Sequence, residues 1–364
     1  MKISLTFSRY IVKKFSFWVT LVSFVFCLLV SLFNMLELSR RAYNKPDIKV
    51  SQLALLSFYQ LPEIFLQLLP FIVLFATMIL FWQMNRRLEL VVARSVGFSI
   101  WSILSSLWVG VMGLSLINFV VLNPIGAEFS SRFDHLERRI FSGRSGMLMV
   151  SETGIWLKQE GYTTYSLVRV ARVDPKKEDL QDVSIYTFDL SNHFVNRLDA
   201  SSVSIHPQGW LLKNVCLSRF NEASQTMGDM LWKTDLTIHK IQESFAKPTS
   251  LPLWKLPSFI HLMEEAGLST VEHSQYFYKS LLQPFLLMVM AMLACLCAYH
   301  FTRHKGGARF VVSGLLSGFI IFFIQKISHA LGLATTLSPL LSVILPILFG
   351  TLVSVGMLMH LEEK

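Results

Sequence analysis

Arginines and carboxylates placed at the edges of long apolar runs are the groups in this sequence best able to do chemistry. Arg40 and Arg41 follow the first apolar run, and Arg132, Arg138 and Arg139 follow the third. Guanidinium groups pair bidentately with phosphate, so several of them at one end of apolar helices suit an anionic amphiphile. Contact with ordinary phospholipid headgroups is the equally simple reading. Arg86, Arg87 and Glu89 form a second group, in a short loop where Leu88, Val91 and Val92 fall at i, i+3 and i+4 and Gly97 ends the pattern. Such a helix either docks in a partner's groove or serves as a plain interfacial connector.

Lys326 interrupts the fifth apolar run. A lysine at the bilayer centre costs on the order of 3 kcal/mol. Its position near the end of the run lets it snorkel, with a substrate-facing role as the alternative. Glu37 and Glu63 read as ordinary interfacial residues. Signatures of catalysis are missing: the sequence has no Gly-Lys pair for a phosphate loop, no H-E-x-x-H, no G-x-S-x-G and no CxxC. Cys295 and Cys297 are separated by one residue in an apolar run, and the ten histidines are scattered, His300 and His304 reading as an interfacial pair. No catalytic residue, metal or cofactor is expected, and any energy must come from another chain.

The elements that position these groups follow from composition. Of 364 residues, 52% are hydrophobic and only 16% charged, against roughly 25% charged in a soluble domain. That excludes a water-soluble globule and a disordered chain, and four cysteines are too few for a disulfide scaffold. The formal charge of +9 does not point to nucleic acid, because residues 127–276 carry a net −2 and the apolar remainder +11. Basic residues flanking apolar spans belong to membrane insertion.

Phe15 to Leu36 carries no charge over 22 residues, enough at about 1.5 Å per residue to cover a hydrocarbon core of roughly 30 Å. It is too long for a signal peptide's apolar region and reads as a retained first helix. Further spans are expected at Ile64 to Leu80, Ser99 to Leu122, Leu281 to Thr302, Phe310 to His329 and Leu340 to His360, with Pro62, Pro70, Pro284 and Pro346 as tolerated kinks. The Lys/Arg bias of the short loops puts both termini in the cytoplasm and the insert after the third span outside it.

Within the insert, short β-branched and aromatic runs are expected as strands at 147–150, 154–158, 162–173, 183–188, 194–198, 202–205, 210–217 and 232–237, giving an all-β sandwich or jelly roll. The expected organisation is residues 1–125 as spans one to three with a short amphipathic helix near 86–97, 126–255 as the β-domain, 256–276 as a connecting helix and 277–364 as spans four to six.

Arg9-Tyr10, Glu89-Leu90-Val91-Val92 through Gly97-Phe98-Ser99, Trp210-Leu211-Leu212, Trp232-Lys233-Thr234-Asp235-Leu236, and Lys279 with Gln283-Pro284 occur here in one order. In that order, and with three helices on each side of a β-insert, the chain resembles the lipopolysaccharide-export permeases of the LptF/LptG family over essentially its full length. Trp232 to Leu236 and Arg40-Arg41 are more similar to the LptG branch than to LptF. The resemblance implies an α-helical membrane protein with six transmembrane helices and an inserted periplasmic jelly-roll-like domain. It also implies the permease subunit of an inner-membrane ABC transporter that carries lipopolysaccharide toward the outer membrane. Implied partners are an LptF-type permease, an LptB ATPase dimer, the single-span LptC and a periplasmic LptA bridge.

By the same resemblance Arg86, Arg87 and Glu89 belong to the coupling helix seated in the ATPase. Arg40, Arg41 and Arg132 become headgroup contacts, with Arg138 and Arg139 beside them. Lys326 takes no role from it. Rival readings are the LptF-type subunit, a lipoprotein-release permease built on four spans, and a non-transporting scaffold with an extracytoplasmic binding domain.

Overall fold

Apolar chain that leaves water satisfies its backbone polar groups most simply within itself, as helix. Among its described residues, the computed structural model contains six helices long and apolar enough to cross a membrane. It describes the chain apart from residues 1–4, 44–47, 138–139, 141–147, 152–153, 161–163, 175–178, 190–192, 207–208, 220–223, 233, 235–246, 266–267, 303–306 and 363–364. Helix α1 is Leu5–Ala42, α2 is Val50–Arg86 and the short α3 is Glu89–Ser95. Helix α4, Ile100–Ile117, passes through a π-turn at Asn118–Leu122 into α5, Asn123–Glu137. After a sheet come α6 (Leu256–Glu265), α7 (Val271–Thr302), α8 (Gly307–Leu333) and α9 (Pro339–Glu362). All six expected spans are therefore present, three on each side of an antiparallel sheet, with the four prolines inside α2, α7 and α9.

The third span continues past residue 125 to Glu137, because Ala127, Ser130, Phe133 and Asp134 keep a helical period on one buried face. The chain divides into two compact units. One is Met1–Glu137 with Thr249–Leu253 and Ser274–Lys364; the other is Arg138–Pro248 with Trp254–His273.

In the helical unit, α2 and α7 form the interior, with 56% and 67% of their spans buried, whereas the α1 span is only 11% buried. Leu69, Ile72 and Leu74 of α2 and Leu287, Met290 and Ala294 of α7 belong to one apolar core. Helix α8 approaches α2 closely through Gly314 and Gly318, where an added Cβ would overlap Met78 and Leu74. Small residues four apart let membrane helices pack this tightly. Phe17, Phe24, Leu32 and Phe33 of α1, and Leu316, Phe319 and Phe323 of α8, remain exposed. So large an apolar surface belongs in lipid or against another chain.

Among its described residues the second unit holds nine strands: β1 Leu148–Ser151, β2 Gly154–Glu160, β3 Thr164–Asp174, β4 Asp179–Asp189, β5 Phe194–His206, β6 Gly209–Lys213, β7 Val215–Arg219, β8 Gln225–Met227 and β9 Met230–Trp232. All pair antiparallel in the order β1-β2-β3-β4-β5-β6-β9, and β7 branches from β5 to carry β8. The runs expected separately at 194–198 and 202–205 are one strand, since Asp199 to Ser201 stay extended and Asp199 bonds Arg197 (2.8 Å) and Ser184 (2.6 Å). That bond to Asp199 raises the Arg197 guanidinium above its ordinary value.

The run expected at 210–217 is instead broken by Asn214, which takes a left-handed φ of 53° and donates to Ser201 Oγ. Asparagine tolerates that region better than most residues. Trp210 is fully buried and lies opposite Trp232 in register, with ring centroids 5.5 Å apart. Met263 of α6 and Leu268 join this sheet's core, placing the expected connecting helix in the strand-bearing unit. Of the expected strand ends, 147, 162–163, 233 and 235–237 lie outside the described residues, as do Pro207 and Gln208 of the expected turn.

Candidate functional site

Helix α3 is short because its ends are fixed by backbone geometry. Leu88, just before it, takes a left-handed φ of 57°, and Gly97 just after it a φ of 93°. The second value suits glycine alone, and it lets Phe98 N donate to Ala93 O at 3.0 Å. Ser99 then caps α4 by accepting from Ser102 N at 3.2 Å.

Between these stops the helix sorts its side chains. Ala93 is buried, and Glu89 turns inward to accept from Tyr10 Oη and Lys14 Nζ of α1, each at 3.0 Å from its carboxylate oxygens. Phe98 stacks on Phe7 of the same helix at 5.0 Å. Leu88, Val91, Val92 and Val96 stay exposed, at 62%, 56%, 60% and 71%. Arg86 lies over the Trp82 ring, 5.1 Å from its centroid, and Arg87 closes α2 exposed. The three residues singled out in the sequence are thus together, but with different duties: Glu89 binds the chain internally, while Arg86 and Arg87 edge an apolar face.

Far along α2, about 55 Å for its 37 residues, the arginines gather at the other end of the helical unit. Arg41 donates to Glu37 at 3.2 Å and reaches Glu137 of α5 at 3.5 Å, joining the ends of α1 and α5. Arg132 donates to Glu128 at 2.8 Å, and Arg40 is exposed. Exposed pairs of this kind are worth only about 0 to 1 kcal/mol. They orient the guanidinium groups without competing strongly against a phosphate, whose bidentate bonds are roughly twice as strong as neutral ones. Arg138 and Arg139 lie outside the described residues. Lys326 is exposed on α8, its ammonium 5.5 Å from the centroid of Phe322.

Sequence reasoning missed Tyr10 and Lys14 as partners of Glu89, because 79 and 75 residues separate them. Lys14 reads in the sequence as a membrane-flanking charge. Its position one helical turn after Tyr10, on the same face, is the available signal.

A family model described as the lipopolysaccharide export system permease LptF/LptG matches residues 9–360. The chain belongs to the LptF/LptG permease family. It is 25% identical over 299 residues to the lipopolysaccharide export system permease protein LptG of Haemophilus influenzae, covering 79% of this chain and 80% of that one. It is 23% identical over 287 residues to the protein of the same name from Escherichia coli K12, covering 76% and 77%. Within an LptF/LptG permease, the matched region takes in all six apolar helices, the sheet, α3 and the α1–α5 arginines. The chain is therefore a multi-pass membrane permease with an inserted β-domain.

Proposed function

We propose that this chain is the LptG-type half of a heterodimeric ABC transporter in the bacterial inner membrane. It works with an LptF-type permease, an LptB ATPase dimer, LptC and a periplasmic LptA bridge, and it draws lipopolysaccharide out of the membrane toward the outer membrane. The observation that carries the reading is the presentation of α3: its carboxylate is bound inward to α1 while four apolar side chains face out. An exposed apolar helix face edged by Arg86 and Arg87 suits the groove of a water-soluble partner. Both relatives above are named LptG, which favours that branch over LptF.

In this reading both termini and α3 are cytoplasmic, following the Lys/Arg bias of the short loops, and the sheet is periplasmic. ATP brings the ATPase subunits together, α3 moves, and Glu89 carries the displacement to α1. Helices α1 and α8, with their exposed apolar faces, border the acyl-chain cavity, and Arg40, Arg41 and Arg132, with Arg138 and Arg139, meet the phosphates. Export then requires that the cavity bind lipid less well after closure than before, since only differential affinity drives the step.

Purification from native membrane in mild detergent, followed by mass spectrometry of partners and lipid, tests this. An ATPase, a second permease and lipopolysaccharide are expected; a preparation free of any ATPase overturns the proposal. A reagent confined to the exterior should modify residues 150–240 in intact cells stripped of the outer membrane, and silence there overturns the orientation.

A further inference from the structure

A cavity of about 100 Å³ lies inside the helical unit, between α2, the π-turn with α5, and α7. Glu63, Asn118, Asn123, Tyr276, Lys279 and Gln283 are among the residues that line it. Its polar groups are arranged with a gap. Asn118 donates to Gln283 Oε1 at 2.8 Å, yet Asn118 is only 7% exposed and its own Oδ1 has no hydrogen-bond partner among the described residues. A buried amide oxygen left in that state carries a desolvation penalty that a bound donor would remove. Asn118 opens the π-turn, an irregularity that recurs at functional sites in helices. Asn123 Oδ1 accepts from Leu253 N at 3.1 Å, which fixes its amide, and its NH₂ group is turned to the Tyr276 hydroxyl.

Charges of both signs share the cavity. Glu63 is near enough for its charge to act on both Tyr276 and Lys279, and Lys326 of α8 adds a second positive charge near Lys279. A simple interhelical ion pair needs no chamber, no π-turn and no open acceptor. A small zwitterion uses the chamber and the open acceptor.

We propose that this cavity binds a phosphoethanolamine group, its phosphodiester beside Lys279 with Lys326 behind it, and its primary ammonium between Glu63 and Asn118 Oδ1. The ammonium supplies three N–H donors, matching the carboxylate and the open amide oxygen. A trimethylammonium supplies none, so phosphocholine is rejected by the same atoms that accept phosphoethanolamine. A glycerol headgroup brings no ammonium to Glu63, only neutral hydroxyls whose hydrogen bonds to a carboxylate are weaker than those of a charged donor. The site is separate from the arginines at the α1 and α5 ends, and it holds whether or not the transport scheme above is correct, because lipid retention is measured without export. Two sources carry this chemistry: phosphatidylethanolamine of the bilayer, and a phosphoethanolamine substituent on an exported glycolipid.

The test uses the full chain purified with its native partners, exchanged into nanodiscs containing equal trace amounts of phosphatidylethanolamine, phosphatidylcholine and phosphatidylglycerol of identical acyl chains. Lipid retained after detergent washing is read by mass spectrometry. Phosphatidylethanolamine should be enriched at least about ten-fold over both others, the worth of one charge-assisted hydrogen bond. Glu63→Gln should remove the preference over phosphatidylcholine, Lys279→Gln should lower retention of all three, and Lys279→Arg should restore it.

A parallel exchange with glycolipid bearing or lacking phosphoethanolamine separates the sources: enrichment of the substituted glycolipid alone assigns the cargo, and enrichment of phosphatidylethanolamine assigns the bilayer. Equal retention of the three phospholipids and of the two glycolipids by the unmodified protein overturns the proposal without recourse to any variant. Unchanged selectivity in a folded Glu63→Gln protein overturns it as well.

Discussion

The ammonium of Lys14 lies 3.0 Å from both carboxylate oxygens of Glu89, so the first helix is held to the short helix between the second and third spans by a two-point bond. The pair is neither fully exposed nor buried, with side chains 17% and 24% accessible. Its strength therefore falls between the exposed limit near zero and the several kcal/mol lost when a buried pair is broken; about 1 to 2 kcal/mol is expected.

Reversing one charge of that pair puts two like charges together without touching the apolar face of α3. Glu89→Lys and Lys14→Glu should each abolish export while the spans stay inserted and the ATPase still co-purifies. The double reversal should recover much of the activity, with a coupling of about 1 to 2 kcal/mol in a double-mutant cycle. Export assays in a strain depleted of the native chain measure this. Normal export by Glu89→Lys would remove the assigned link between α3 and α1.

The face of α3 is tested separately. Val91→Asp places a charge where 56% of a valine is exposed, so the isolated fold should lose little. If the face docks in an ATPase groove, burying the carboxylate there should weaken association about ten-fold or more. Pull-down of the ATPase under mild detergent, beside a thermal melt of the permease, distinguishes loss of docking from loss of fold.

Gly318 meets Leu74 and Gly314 meets Met78 where α8 crosses α2. Gly318→Leu should overpack this crossing and cost about 1 to 3 kcal/mol, read as a lower melting temperature in detergent. Gly356, with open space at its Cβ position, is the control: Gly356→Ala should leave the melt unchanged.

Trp210 is the largest fully buried side chain of the sheet unit. Trp210→Ala should destabilise that unit by about 3 to 5 kcal/mol. Limited proteolysis of the full chain should then cut within 150–240 while the helical unit stays intact.

Arg41 bonds exposed Glu37 and the partly buried Glu137, and Arg132 bonds exposed Glu128 and the Tyr59 hydroxyl, so replacing each should change stability by about 1 kcal/mol or less. The double variant Arg41→Ala, Arg132→Ala should instead reduce crosslinking of lipopolysaccharide to the α1 end, with the residual signal falling less steeply as salt rises. Unchanged crosslinking would return these residues to ordinary headgroup contact.

The spans were legible because apolar runs of 17 to 24 residues, with Lys326 the one Lys, Arg, Asp or Glu inside them, have few other physical outcomes. Glu89 and its apolar neighbours were legible from i, i+3, i+4 spacing within one turn and a half. Its partners were not, since nothing local in Tyr10 and Lys14 specifies contact with a residue more than seventy positions away. Strand boundaries failed at Asn214 and across Asp199 to Ser201, where a left-handed backbone and a cross-strand network override alternation. The chamber around Asn118 escaped notice for a related reason: Asn118, Asn123, Tyr276 and Gln283 look like scattered polar residues until the third span and α7 bring them together.

Helix α1 has 38 residues, α2 has 37, and the continuous third span runs from Ile100 to Glu137. Each measures about 55 Å, against a hydrocarbon layer of roughly 30 Å. Even with tilt, a stretch of every rod must stand clear of the oily layer as a palisade. An amphiphile climbing that fence could shed its fatty surroundings by degrees, never facing bare water all at once.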